Sequence, residues 1–137
     1  MATMWMPSGP YLLTGRDYSL QLWDVPNNKA LTTCAAMAQI RYAAYASNGS
    51  ILISGNDDRA VRFWDAAKGE LRGSMLAEPG YLAFITTDGQ WRADTEKDVD
   101  LVYVVHSEKG QSIFKPADFA AQYRWKNNPV RIKMPTR

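Results

Sequence analysis

Short apolar stretches alternate with clusters of glycine, asparagine, aspartate and proline along the chain, and their lengths suit strands better than helices. The pattern is clearest in the middle. Residues 40–45 form an aromatic and small-residue stretch, Ser47-Asn48-Gly49 turns it, and Ile51-Leu52-Ile53-Ser54 returns. Gly55-Asn56-Asp57-Asp58 turns the chain again into Ala60-Val61-Arg62-Phe63-Trp64, where apolar Val61 and Phe63 flank Arg62 with the alternation of a strand. Beyond Lys68-Gly69, residues 70–75 supply a fourth strand. Four antiparallel strands of this kind make one twisted sheet with apolar side chains on both faces. Such a sheet cannot hide both faces alone and must be stacked between similar sheets.

The arrangement recurs at a fixed spacing. The glycines of the turn dipeptides Ser8-Gly9, Asn48-Gly49 and Asp88-Gly89 lie 40 residues apart, as do Gly15 and Gly55, while Trp23-Asp24 and Trp64-Asp65 lie 41 apart. Self-similarity at a period of about 20 to 50 residues marks an array of stacked units. Three follow here: residues 2–38, 39–78 and a divergent 79–114. Six residues before each tryptophan stands an aspartate, Asp17 or Asp58, in the turn between the second and third strands, where a carboxylate can accept backbone N–H groups.

Thr14-Gly15-Arg16-Asp17 leading to Leu20-Gln21-Leu22-Trp23-Asp24, and Ser54-Gly55-Asn56-Asp57-Asp58 leading to Val61-Arg62-Phe63-Trp64-Asp65, resemble the WD-repeat family of β-propellers. The resemblance implies an all-β fold: a partial, open β-propeller of about three four-stranded antiparallel blades. It also implies a structural cluster in which Thr14, Asp17 and Trp23, and likewise Ser54, Asp58 and Trp64, bond to one another. The Gly-His pair that the family often places ahead of the first strand is missing from residues 34–39, so the cluster of the second unit is expected to be incomplete. Arg16, Tyr18, Asp57 and Arg59 fall on equivalent turns. A propeller would set these on one rim, and the resemblance makes that rim, with the loops around 35–39 and 77–80, a partner-docking face. Arg and Tyr are frequent binding anchors.

The third unit keeps strands and loses the Trp-Asp pair. Residues 81–86, 90–93, 101–105 and 111–114 read as its strands, and the continuous apolar run at 101–105 predicts burial on both faces. Residues 116–123 predict a short helix, with Pro116 at its first position, Asp118 in its first turn and Phe119 facing Tyr123; it ends before Asn127-Asn128-Pro129. From Leu101 to Pro129 the chain is similar to the carboxyl-terminal end of large bacterial WD-repeat proteins. On that resemblance it carries the end of a longer propeller and lacks its beginning.

Composition changes this picture in one respect. A chain of 137 residues, 46% hydrophobic and 12% aromatic, would ordinarily be one packed domain, yet it holds only three blades of about 40 residues where closed propellers use about four to eight. Apolar end faces are therefore expected, in a fragment or in a chain that completes itself by pairing with further copies. No long apolar run or leader-like start is present, which points to a cytoplasmic protein without membrane contact. Residues 115–137 form the helix and a basic tail. Arg124, Lys126, Arg131, Lys133 and Arg137 give residues 122–137 a charge of +5 and leave the rest at −3, which makes nucleic acid the weakest of the candidate partners.

The search for chemistry finds little. Cys34 and His106 are each single in the chain and lie in no nucleophile or metal motif. The acidic run 94–100 has Val99 where a calcium loop needs glycine and Val105 where it needs glutamate, so it is read as a solvated loop. No catalytic residue, metal or cofactor is expected. The leading expectation is a non-catalytic protein-interaction scaffold. The alternative is a regulatory propeller segment of a larger enzyme, such as a kinase or caspase-like peptidase.

Overall fold

A computed structural model describes residues 1–7, 9–46, 48–95 and 99–132. Strands β1 (Ala2–Trp5), β2 (Tyr11–Arg16), β3 (Ser19–Asp24) and β4 (Lys29–Ala35) form a four-stranded antiparallel sheet in chain order. Strands β5 (Ile40–Tyr45), β6 (Ile51–Asn56), β7 (Ala60–Asp65) and β8 (Leu71–Glu78) repeat it. Registers match as well as lengths: Leu12 faces Trp23 and Leu52 faces Trp64, and each third-to-fourth-strand pairing slips at its tryptophan.

These two sheets stack face to face, and the core lies between them. Leu13, Leu20, Leu22 and Cys34 of the first sheet and Ile40, Leu52 and Trp64 of the second form one buried cluster, which also takes in Met6 and Ala36. Glycine makes the closest approaches. A Cβ on Gly15 would stand 2.8 Å from the Ile40 side chain, and one on Gly69, whose φ is +72°, would stand 2.5 Å from the Thr33 carbonyl. Thr32 Oγ1 donates to the Ala66 carbonyl at 2.5 Å, joining the outer strand of the first sheet to the 66–69 turn of the second. Tyr45 Oη donates to the Trp5 carbonyl at 2.7 Å across the inner strands.

The fold is all-β, open and propeller-like, without a closed barrel, but the third unit is split. Strands β9 (Tyr81–Thr86) and β10 (Trp91–Ala93) add to the outer edge of β8 and make a six-stranded sheet. Among the described residues, strands β11 (Tyr103–Ser107) and β12 (Gly110–Phe114) pair only with each other. The expected third four-stranded blade is thus corrected to an extension plus a hairpin. Connection length sets a limit here, although four residues do not themselves force a crossing, since the equally long 25–28 link folds β4 back on β3. Four residues, 36–39, separate β4 from β5 and let the chain cross to the next sheet, whereas only Pro79 and Gly80 separate β8 from β9. A two-residue link with φ +98° at Gly80 can only fold the strand back on its neighbour.

A second correction concerns residues 101–105. Their apolar run predicts burial on both faces, but β11 alternates, with Tyr103 and Val105 half-buried and Val104 44% exposed. One face of the hairpin is occupied by rings: Tyr103 stacks on Phe119 at 4.3 Å, and Trp125 meets both edge-on. Phe119 belongs to helix α1 (Pro116–Tyr123), which starts on Pro116 and stops where Arg124 takes a left-handed φ of 52°. The terminal segment then covers the free edge of β10. Asn127 accepts from the Trp91 N–H at 2.9 Å and donates to the Trp91 carbonyl at 2.8 Å, in the manner of a partner strand, and Asn128 N–H donates to Gln90 Oε1 at 2.5 Å. An edge covered in this way is no longer a template for pairing. The turn residues Ser8 and Ser47, residues 96–98 of the acidic run, and residues 133–137 of the basic tail lie outside the described residues.

Candidate functional site

In the second repeat a buried chain of hydrogen bonds runs from sheet to rim. Trp64 Nε1 donates to Ser54 Oγ at 2.9 Å, Ser54 Oγ donates to Asn56 Oδ1 at 2.9 Å, and Asn56 Nδ2 donates to the Ala38 carbonyl at 2.9 Å. Ser54 is fully buried and Asn56 nearly so. The expected gap in this cluster is filled by Asn56, which ties the tryptophan and serine to the connection between the sheets. Asn56 was legible in principle: it stands two residues after Ser54 on one strand and so shares its face. In the first repeat the short form appears, with Trp23 Nε1 donating to Thr14 Oγ1 at 3.2 Å in a half-buried setting.

The two aspartates take different parts. Asp58 Oδ1 accepts the Ala60 N–H at 3.2 Å, and its carboxylate grips Arg62 through both oxygens, at 3.0 and 2.5 Å. Those Arg62 bonds hold the Asp58 carboxyl below the ordinary carboxylate range against the opposing effect of partial burial. The Asp17 side chain is instead exposed beside Arg16 at 3.4 Å, and it is the Asp17 carbonyl that engages the fold, by accepting the Ile40 N–H at 2.6 Å. Asp17 takes φ 51° in the two-residue turn of the first repeat. In the second repeat, one residue longer, Arg59 takes φ 62°. Aspartate tolerates this left-handed backbone well.

The four rim residues are brought to one end of the stacked sheets by the 36–39 connection, which lies between their turns. Ala36 N–H donates to the Tyr18 carbonyl at 2.7 Å on one side, and Asp57 N–H donates to the Gln39 carbonyl at 2.9 Å on the other. Arg41 binds Asp57 through both carboxylate oxygens and thereby lowers the Asp57 pKa. Arg59 Nη1 reaches Glu78 Oε2 at 3.2 Å, which places the 77–80 turn on the same rim. Arg16 stays exposed. Tyr18 is 60% exposed, and Met37, which the sequence did not single out, is 89% exposed at the centre of the connection. Exposed ion pairs such as Arg41–Asp57 add little stability, so these charges are free to be reused at an interface.

Burial, with the Asp65 charge adding to it, pushes the Cys34 thiol up to about 11, so it is a protonated core residue. Among the described residues no three His, Cys, Asp or Glu side chains converge as metal ligands. None of the described helices is long and apolar enough to cross a membrane. A hollow of about 690 Å³ opens beside Trp91, Arg92, Asn127 and Pro129, and its polar groups hold the terminal segment: Arg92 Nη1 donates to the Ile132 carbonyl at 2.8 Å. Arg131 of the basic tail pairs with Asp88 at 3.0 Å.

Residues 1–24 and 27–65 match the family described as WD domain, G-beta repeat. A solved structure, the crystal structure of the computationally designed Ika4 protein, is similar at 16% identity with a TM-score of 0.47; the match covers 68% of this chain and 63% of that one. No curated protein matches the chain.

Proposed function

We propose that the chain, whose residues 1–24 and 27–65 match the WD domain, G-beta repeat family, is a WD-repeat protein and a non-catalytic scaffold that docks a protein partner on the rim formed by Arg16, Tyr18, the 36–39 connection, Asp57 and Arg59. WD repeats generally mediate protein–protein interaction. The observation that carries the reading is the rim itself. Two equivalent turns are held against one connection, and the large side chains of Tyr18 and Met37 point out of it at 60% and 89% exposure. Aromatic, Met and Arg side chains clustered in this way are the composition of an interface centre. An acidic or amphipathic segment would meet Arg16, Arg41 and Arg59 as well as the apolar pair.

The test places a photo-crosslinking residue at Met37 and, as a control, at Asn27 on the opposite end. A partner other than a further copy of this chain, trapped from Met37 and not from Asn27, with binding lost in Tyr18→Ala/Met37→Ser and kept in Asn27→Ala, is the expected result. A partner whose binding is indifferent to the rim pair overturns the proposal.

A further inference from the structure

The repeat has a face on each side, and the chain satisfies only one pair of them. Within the chain, the face of the first sheet carrying Leu13, Gly15, Leu20, Leu22 and Cys34 lies on the face of the second carrying Ile40, Leu52, Ser54 and Trp64. Shifting each face by one repeat gives the two that remain. Leu52, Ser54 and Trp64 become Leu12, Thr14 and Trp23 at one end. Leu13, Leu20, Leu22 and Cys34 become Ile53, Val61, Phe63 and Met75 at the other, where Phe84 of the added strand stacks on Phe63 at 5.7 Å. Residue types are preserved through the shift, and burial is not. Leu13, Leu20 and Leu52 are fully buried and Trp64 nearly so, whereas their counterparts Ile53, Val61, Leu12 and Trp23 are only partly buried and stand outside the core cluster.

We infer that these two end faces are each other's partners in different molecules, so that the chain associates head-to-tail with further copies of itself. The Leu12–Trp23 end has the shape for it: a hollow of about 400 Å³ lined by Met1 and by residues of the first repeat, including Leu12, Thr14, Gln21 and Trp23. The 25–28 turn borders that hollow, as the 66–69 turn borders the internal contact, and Asn28 repeats the left-handed backbone of Gly69, with φ 48° against 72°. A second copy is the occupant because each face already has, inside this chain, a relative of the other bound to it. The contact is heterologous and so builds a ring or a filament. With two stacked blades per chain and about four to eight blades per closed propeller, rings of about two to four copies are expected.

Light scattering on the full chain across a range of concentrations tests this. Wild type is expected at about two to four times its 15.4 kDa. Leu12→Glu and Val61→Glu, which charge one end face each, are each expected to be monomeric. Mixed, they retain one intact face apiece and are expected to form a complex of one copy of each and nothing larger, because the remaining faces are both charged. Circular dichroism qualifies the variants, and Leu12→Gln with Val61→Thr replaces any that unfolds. A wild type that stays monomeric at every concentration overturns the inference, whether its faces stay bare or take another protein. So does a mixture of folded variants that fails to pair, or association that neither variant weakens.

Discussion

Ser54→Ala removes one oxygen and should cost far more than its size suggests. The hydroxyl is fully buried, accepts the Trp64 indole N–H and donates to Asn56, both at 2.9 Å. Alanine leaves the indole N–H without an acceptor in a place that water cannot reach, and each buried polar group left unpaired costs about 1–3 kcal/mol. Asn56 keeps its bond to the Ala38 carbonyl, so only its oxygen is stranded. The expected loss is about 2–4 kcal/mol. Thr14→Ala deletes the same atom from the first repeat, but that bond faces the open hollow, where water can replace it. Its expected loss is under about 1 kcal/mol.

Urea denaturation read by tryptophan fluorescence separates the two. With a slope of about 1–3 kcal/mol per molar urea, Ser54→Ala shifts the midpoint by about 1 M or more, and Thr14→Ala by a small fraction of that. In the double variant Ser54→Ala/Trp64→Phe the stranded N–H is gone, so the combined loss falls short of the sum by about 1 kcal/mol or more. Equal losses at the two repeats, measured where the chain is monomeric, refute the reasoning, since burial would then not be what sets the cost. Raising the concentration provides a further check. Head-to-tail association buries Thr14 as Ser54 is buried, so the Thr14→Ala penalty should grow with assembly.

Four further outcomes follow from the geometry. Gly69→Ala sets a Cβ 2.5 Å from the Thr33 carbonyl at φ +72° and should destabilise by well over about 1 kcal/mol, while Gly110→Ala, with nothing within 4 Å, meets backbone strain alone; thermal melts compare them. The carboxyls of Asp57, Asp58, Asp65 and Asp88 are all held below their ordinary value, the first three mainly by bonds from Arg41, Arg62 and Arg72 and the last mainly by Thr86. The unfolded chain therefore binds more protons in acid, and stability present above about pH 4 is lost as pH falls through the folded values; Asp58→Asn should flatten urea midpoints measured against pH. Cys34, with its pKa raised to about 11, should resist a thiol reagent at pH 8 and react at a rate that climbs with urea. Asn127→Ala removes both bonds to the Trp91 backbone, so hydrogen exchange at the Trp91 amide should accelerate while exchange at the core strands β6 and β7 does not.

What the sequence made legible was whatever the repeat states twice. The strands of the second unit, the turns, the tryptophans and the rim positions all recur at 40 or 41 residues, and self-similarity specifies which face each occupies. The third unit shows where that stops. Residues 81–86 are as strand-like as 40–45, and nothing within either stretch says which sheet it joins. A two-residue link such as Pro79-Gly80 leaves only the neighbouring strand within reach, whereas a four-residue link permits either outcome, as 25–28 folds back and 36–39 crosses, so chain reach narrows a choice that the hydrophobic pattern does not state. The apolar run at 101–105 misleads for a related reason, because a strand packed on aromatic rings on one side and a strand packed on both sides can share one composition. Asn56 was hidden differently. It does the linking work through an amide rather than through the family's Gly-His pair, so a search by residue type passes over it and a search by face and burial finds it. The same logic makes the end faces informative: Leu12 and Val61 look like ordinary core residues in the sequence, and only their partial exposure beside fully buried repeat-mates supports the inference that their partners come from outside the pair of sheets.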